Sequence, residues 1–519
     1  MKENNEKLEQ SLKLIVKTSF IVFIGIILSK IMGYAYRIIV ARSFGPEIYG
    51  LYTIALMIIG FVGAFASIGL QEGIIRFIPL YRGKNKIVSH IIKKAKIILL
   101  LTGICSGFLL YILSEIIANN VFHNANLIVF LKIFSVLIPI SIISNLYLSI
   151  LRGFEKIGWY SFIFNILQNI IKVSTLVIFV YIGLNGAYST IYSQFIATAT
   201  VLVVSYLAVK FSIKELNNYH IPSNIKENKI MQRVYSYSWP IVFASVVYVL
   251  FSWVDSFFIG YFIDAEAVGF YNSAVPIAFL LLFVPDLFMQ LFLPLITRMY
   301  SNKNKILVKE ISKQICKWIF MFNLPLFLLM ILFPGAIINI LFGPEYLAAE
   351  NSLRLLLIGV FFSSICIVSQ NLISMIGKSR LILMNMIIVT IINVILNIIL
   401  IPKHGINGAA FSMSFSFIIL GILFLIEAKS FTSILPFRIK MINIVLASLI
   451  SLGVLYLLKM YISINLASII IISIIFFCVY FVLLILLKGL DRNDKKMIIL
   501  IKEKILGKQI GSSLVKFAD

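Results

Sequence analysis

Apolar runs of about twenty residues or more recur along almost the whole chain, separated by short polar turns. A hydrocarbon core about 30 Å thick needs roughly 20 apolar residues at 1.5 Å rise, so each run suits a membrane-crossing helix and is too long for a barrel strand. The runs predict spans at 18–41, 48–75, 97–117, 127–151, 160–184 and 187–209, then at 240–262, 267–294, 318–341, 348–375, 381–401 and 409–426, and last at 441–458 and 464–487. The expected fold is an all-α integral membrane protein of about 14 transmembrane helices. A composition 61% hydrophobic and 13% charged, with a mean hydropathy of +1.03, excludes a soluble globular chain.

The formal charge of +24 invites a nucleic-acid reading, but its distribution argues otherwise. Of the 45 Lys and Arg residues, 37 fall in the two terminal segments and in alternate loops at 76–96, 152–156, 210–233, 298–317, 378–380 and 429–440. The other set of loops holds only Arg42, Lys403 and Lys459. This asymmetry obeys the positive-inside rule, so both termini are expected in the cytoplasm and the multi-pass chain in the cell membrane. The basic loops would favour anionic lipid headgroups rather than nucleic acid. Lys13 and Lys17 precede the first run as in a signal peptide, yet the run is too long and lacks a small-residue cleavage site, so an uncleaved helix is expected.

The chain also repeats itself. Glu47-Ile48-Tyr49-Gly50-Leu51-Tyr52 returns 219 positions later as Glu266-Ala267-Val268-Gly269-Phe270-Tyr271, and the same offset pairs Gln71 with Gln290 and Tyr81 with Tyr300. Gly183-Leu184-Asn185-Gly186-Ala187 returns at an offset of 222 as Gly405-Ile406-Asn407-Gly408-Ala409. Gly and Asn are common in any turn, but two matches at nearly constant offset favour a duplicated fold. Six spans separate the copies, so they enter the membrane in the same sense, as parallel repeats able to rock about a central cavity. The expected divisions are an N-lobe at 1–209, a linker at 210–233, a C-lobe at 234–430, two further helices within 431–490, and a basic tail at 491–519 that reads as a surface amphipathic helix.

Catalytic machinery is not legible. Gly377-Lys378-Ser379 imitates the end of a phosphate-binding loop, but Leu372 stands where its first glycine belongs. No inner segment between spans exceeds about 25 residues, too short for a catalytic domain. Cys105, Cys316, Cys366 and Cys478 lie far apart, and His90, His123, His220 and His404 have no ligand spacing, so neither disulfide nor metal nor cofactor is expected. The chain reads as a transporter rather than an enzyme, driven by an ion gradient, the membrane potential or the substrate gradient.

Ionisable residues inside spans are costly and point to a transport site. Lys30, Gly33, Tyr34 and Arg37 recur at spacings of three and four, a cationic stripe on one helical face. Lys172 follows Asn165, Gln168 and Asn169 on a polar face of the fifth span. Glu72 and Arg76, four apart, are able to neutralise each other, and Lys132 and Arg354 sit near span ends as snorkelling anchors. The second half contributes Asp255 and Asp286. Cations in one lobe and carboxylates in the other would suit an anionic substrate and a coupling cation, while Asp255 is equally placed to pair with Arg37. The candidate substrate-binding set is Lys30, Arg37, Lys172, Glu72, Asp255 and Asp286.

The stretch Arg42-Ser43-Phe44-Gly45-Pro46-Glu47-Ile48-Tyr49-Gly50-Leu51-Tyr52, with Gly69-Leu70-Gln71-Glu72-Gly73, Arg76-Phe77-Ile78-Pro79-Leu80-Tyr81, Gly377-Lys378 and Gly405-Ile406-Asn407-Gly408-Ala409-Ala410, resembles the polysaccharide flippases of the multidrug/oligosaccharidyl-lipid/polysaccharide (MOP) exporter superfamily. The resemblance spans nearly the whole chain. It implies two six-helix lobes about a central cavity, two extra C-terminal helices, and a lipid-linked oligosaccharide moved from the inner to the outer leaflet for cell-surface glycan assembly. Lys30, Arg37 and Lys172 would then hold a polyprenyl diphosphate. A peptidoglycan-precursor flippase shares this chemistry. A cation-coupled multidrug exporter would instead centre its site on Asp255 and Asp286.

Overall fold

The computed structural model describes residues 2–213, 226–461, 466–487, 489–490 and 494. Part of the expected linker at 210–233 and nearly all of the tail at 491–519 lie outside the described residues. Among the described residues the chain forms helices and no strand: α1 (Lys2–Ala66), α2 (Leu70–Leu80), α3 (Asn85–Ile116), α4 (Leu127–Gly153), α5 (Ile157–Ser161), α6 (Gln168–Ile182), α7 (Gly186–Ser212), α8 (Lys226–Phe262) and α9 (Ala265–Phe279). There follow α10 (Phe283–Ser301), α11 (Lys305–Leu332), α12 (Pro334–Leu341), α13 (Glu350–Met375), α14 (Ser379–His404), α15 (Ile406–Thr432), α16 (Met441–Tyr461) and α17 (Leu466–Leu486). All-helical construction satisfies the backbone within each segment, which hydrocarbon requires.

Eleven helical stretches among the described residues are long and apolar enough to cross a membrane. The first of them, Ile24–Ala66, is 43 residues long, enough for two crossings, and it breaks at Gly45, which takes φ 80° ahead of Pro46. In one straight helix Tyr36 and Tyr52 would stand about 24 Å apart. Their ring centroids lie 5.6 Å apart, so the chain reverses at Gly45 and α1 is a helical hairpin. With this hairpin counted as two, and with the shorter apolar helices Met441–Val454 and Ser473–Leu486, the helices accommodate the expected fourteen, although length and composition alone license eleven.

Boundaries differ from expectation where the backbone, not hydropathy, decides. The second span was expected to run to Ile75, but the helix stops at Ala66, because Ile68 (φ 45°) and Gly69 (φ 64°) turn the chain before α2. The fifth span carries a π-helical segment, Phe162–Leu167, between α5 and α6, and α3 ends in another, Ile117–Val121. The expected 318–341 span divides at Phe333 into α11 and α12.

The chain falls into two compact units. The first comprises Met1–Leu280, Ile337–Val360 and Lys378–Leu423. One of its cores packs Leu70, Ile74 and Ile78 of α2 with Leu99 of α3, Ile142 and Leu146 of α4, and Val234 of α8. In this unit the sequence repeat becomes a reciprocal contact between α1 and α9. A Cβ on Gly50 would lie 1.7 Å from the Ala265 carbonyl oxygen, and a Cβ on Gly269 would lie 2.0 Å from that of Pro46. Both pairs are related by the 219-residue offset, so each copy presents its glycine to the same point of the other. The second unit comprises Leu281–Ala336, Phe361–Gly377 and Phe424–Asp519. There Phe292, Ile296, Ile319, Val368 and Leu372 form one core, and Met321, Ile444, Ala447 and Tyr480 another. Lys317, wholly buried, meets Asp494 at 2.5 Å, while Gln314 and Trp318 also donate to that carboxylate.

Candidate functional site

Two tyrosines on opposite arms of the α1 hairpin form the floor of the site. The Tyr36 hydroxyl lies 2.9 Å from Ser193 Oγ and donates to the Thr190 carbonyl at 3.3 Å, while Tyr52 donates to Gln194 Oε1 at 3.1 Å. One turn of α7 thus orients both rings. Lys172, on α6, places its ammonium 4.0 Å from the Tyr36 ring centroid and 5.4 Å from that of Tyr52. The faces of two aromatic rings stabilise a partly desolvated cation without neutralising it. The α6 helix is anchored beside α1 by Asn169, whose Nδ2 donates to Ser29 Oγ at 3.0 Å.

Arg37 follows Tyr36 and lies within Coulomb reach of Lys172 and beside the Tyr49 hydroxyl. That hydroxyl donates to the Asn272 carbonyl at 2.9 Å, and Tyr34 donates to the Pro276 carbonyl at 2.9 Å, so α9 braces both arms of the hairpin. Among the described residues no carboxylate stands at salt-bridge distance from Lys172 or Arg37. Two positive charges therefore share one partly buried site faced by tyrosine rings and hydroxyls. Lys30 is half-buried on the same face of α1, two turns or about 10 Å from Arg37.

The second candidate centre is built around Asp255, which is 4% exposed. It accepts hydrogen bonds from the Tyr271 hydroxyl and from Asn397 Nδ2, each at 2.7 Å. Asn397 Nδ2 also reaches Asn393 Oδ1 at 3.1 Å, and both asparagines are fully buried. Among the described residues Asn397 Oδ1 has no hydrogen-bond partner. A cavity of about 20 Å³ opens beside the carboxylate, lined by Ser252, Ser256, Tyr271 and Asn272 among others. That is room for one water or one bare ion. The pairing of Asp255 with Arg37 left open by the sequence is not formed: Tyr271 and Asn397 take the carboxylate instead.

The remaining candidates lie elsewhere. Glu72 is exposed on α2 and faces Arg152 at 3.7 Å rather than Arg76, whose guanidinium stacks 4.0 Å from the Tyr237 ring centroid. Asp286 is half-buried in the first turn of α10, in the second unit. Lys132 pairs with Glu115 at 2.6 Å and Arg354 with Glu350 at 2.6 Å. Sequence reasoning missed Tyr36, Tyr52, Tyr49, Tyr271, Asn393 and Asn397 as site residues. A signal for the last two existed: amides four residues apart share one helical face of an apolar span.

Comparison with known proteins agrees with this architecture. Residues 15–300, more than half of the chain, match the family described as polysaccharide biosynthesis protein, and residues 240–399 match the MatE family. A Shigella flexneri protein named "Putative O-antigen transporter" is 24% identical over 389 residues, covering 72% of this chain and 88% of that one. Among solved structures, the lipid II flippase MurJ in an inward closed conformation superposes with a TM-score of 0.69 at 23% identity, covering 90% of this chain and 98% of that one. An inward-facing multidrug resistance MATE transporter superposes with a TM-score of 0.63 at 15% identity, covering 78% of this chain and 94% of that one. These structures share the fold, and the relatives are transporters rather than enzymes. The chain is a multi-pass membrane protein that belongs to the polysaccharide biosynthesis protein family.

Proposed function

We propose that this protein is a flippase that carries a lipid-linked oligosaccharide, through its anionic polyprenyl diphosphate, from the inner to the outer leaflet. The observation that carries the proposal is the pair Lys172 and Arg37, two cations in one partly buried site with no carboxylate at salt-bridge distance among the described residues. Charge removed from water without a partner is costly, so the site is incomplete until an anion enters. A diphosphate supplies it, and charge-assisted hydrogen bonds from ammonium and guanidinium offset its dehydration. Lys30, two turns away, would meet the same headgroup during its passage. Outward movement of an anion from an inside-negative compartment gains about 2.3 kcal/mol per charge per 100 mV.

On this reading the chain lies in the cell membrane with both termini cytoplasmic, and the lobes at 1–209 and 234–430 rock about the site. The basic inner loops and the sequence repeat support that arrangement. Asp255, with its small polar cavity, is the place for a coupling cation. A multidrug exporter would centre its site on that carboxylate, and the pair of cations at Lys172 and Arg37 favours an anionic substrate instead. A peptidoglycan precursor carries the same diphosphate and would use the same residues.

The test is transfer of a fluorescent diphosphate-linked oligosaccharide across proteoliposomes holding an inside-negative potential. Transfer by the wild type, abolished in Lys172→Ala and Arg37→Ala and impaired in Lys30→Ala, is the expected result. Undiminished transfer in the first two variants would overturn the proposal, as would transport of an organic cation dye that fails in Asp255→Asn.

A further inference from the structure

An apolar cleft of about 540 Å³ lies in the first unit between the second arm of the α1 hairpin, α3, α8 and α14. Its volume is within the roughly 300–1,000 Å³ of ligand pockets. Leu109, Leu113, Ile117, Val249, Trp253 and Phe257 represent a lining in which Ser106 contributes the only hydroxyl. The cleft ends where Phe122 meets Phe257 edge to face, ring centroids 5.7 Å apart. In a bilayer such a surface takes a hydrocarbon chain, and three features say whose chain it is.

The first is its distance from the cationic site. Met57 lines the cleft and stands five residues, about 7.5 Å of helix, beyond Tyr52, whose ring faces the Lys172 ammonium. One molecule with an anionic head and a long tail is able to reach both. The second is symmetry: Val394, which lines the cleft from α14, is the counterpart of Lys172 at the 222-residue offset. One copy of the repeat thus presents a cation where the other presents a branched alkyl group. The third is helix irregularity. The π-helical turn Ile117–Val121 lends both of its end residues to the cleft, and the π-helical turn Phe162–Leu167 precedes the polar face that carries Lys172. Widened turns of this kind are rare and concentrate at functional sites.

We infer that this cleft holds the hydrocarbon chain of the same lipid-linked substrate whose diphosphate sits at Lys172 and Arg37. The inference rests on the proposed function and extends it to a tail subsite. By the expected topology the cleft lies in the outer half of the membrane, near the turns that follow α3 and α8. It is the resting place of the chain once the headgroup has crossed, and it commits the lipid to the outer leaflet before release.

The experiment uses full-length protein in nanodiscs and three probes: a long-chain polyprenyl diphosphate-sugar with a diazirine in its chain, a short-chain diphosphate-sugar, and a diazirine phospholipid. The long-chain probe should crosslink within 104–122 and 245–258, and unlabelled substrate should displace it. Val249→Trp and Leu113→Trp, which fill the cleft, should weaken long-chain binding by about tenfold or more while leaving short-chain binding unchanged, which also reports that they fold. Short-chain binding that survives Lys172→Ala would sink the headgroup site and the proposed function. Headgroup binding that requires Lys172, with no long-chain crosslink in the cleft, would overturn the tail subsite alone. So would equal labelling by the phospholipid that substrate fails to displace, because the cleft would then hold bulk lipid.

Discussion

Tyr52 and Tyr271 occupy equivalent positions of the two repeats and hold opposite charges: the ring of Tyr52 faces the Lys172 ammonium, and the hydroxyl of Tyr271 donates to the Asp255 carboxylate. Tyr36 and Asp255 are likewise equivalent, each sixteen residues before its tyrosine. One scaffold thus yields an aromatic cage for a cation in the first copy and a hydrogen-bonded carboxylate in the second. The two centres are separable by mutation.

In the cage, the ring rather than the hydroxyl of Tyr36 is what Lys172 uses. Tyr36→Leu should weaken binding of a short-chain diphosphate-sugar by about 2- to 30-fold, the equivalent of roughly 0.5–2 kcal/mol of cation–π stabilisation. Tyr36→Phe should stay close to the wild type. Equal losses in both variants, measured by titration in nanodiscs, would assign the effect to the Ser193 hydrogen bond instead.

At the carboxylate, Asp255→Asn should leave headgroup affinity intact and remove any dependence of transport on a cation gradient. Asn397→Ala keeps the charge but deletes one of its two direct donors. Its expected cost is about 1–3 kcal/mol, read as a lower apparent melting temperature in detergent. Loss of headgroup binding in Asp255→Asn would mean that the two centres are not independent.

Gly50→Ala and Gly269→Ala each drive a methyl group into a backbone carbonyl of the opposite repeat, where no side chain can move aside. Each should cost about 1–3 kcal/mol of stability. The double variant should cost less than the sum, because one displacement of α1 from α9 relieves both clashes. Full additivity of the melting-temperature shifts would argue against a shared contact.

In the second unit, Lys317→Met removes the one cation paired with Asp494 among the described residues, leaving a charged carboxylate held by the neutral donors Gln314 and Trp318 at a site 3% exposed, and its expected cost is about 3–5 kcal/mol. Lys317→Met with Asp494→Leu should recover most of that loss, since replacing a buried ion pair by apolar groups is often neutral. A double variant no more stable than the single one, by thermal unfolding in detergent, would refute this.

The membrane class, the spans and the repeat were legible because bilayer thickness imposes a length and duplication leaves a fixed offset, both one-dimensional properties. Lys172 and Arg37 stood out as candidates because charge in an apolar run is conspicuous. The tyrosines that surround them were not, since Tyr36, Tyr49 and Tyr52 in an apolar run read as ordinary core. Nor was the turn at Ile68, a residue whose φ of 45° no propensity suggests. The Asp255 pairing turned on which side of α8 faces α14, a matter of rotation about a helix axis that hydropathy does not fix.

The uncompensated charges of Lys172 and Arg37 bear on the return stroke. On the proposed function, the loaded carrier moves through its cycle nearly neutral at this point, with the diphosphate matching the two cations. The empty carrier must rearrange with both charges exposed to each other in a poorly screened interior, which raises the barrier to idle turnover. Return of the empty carrier is then the slow step of the cycle, and removing one cation should speed that return while weakening capture of the anion.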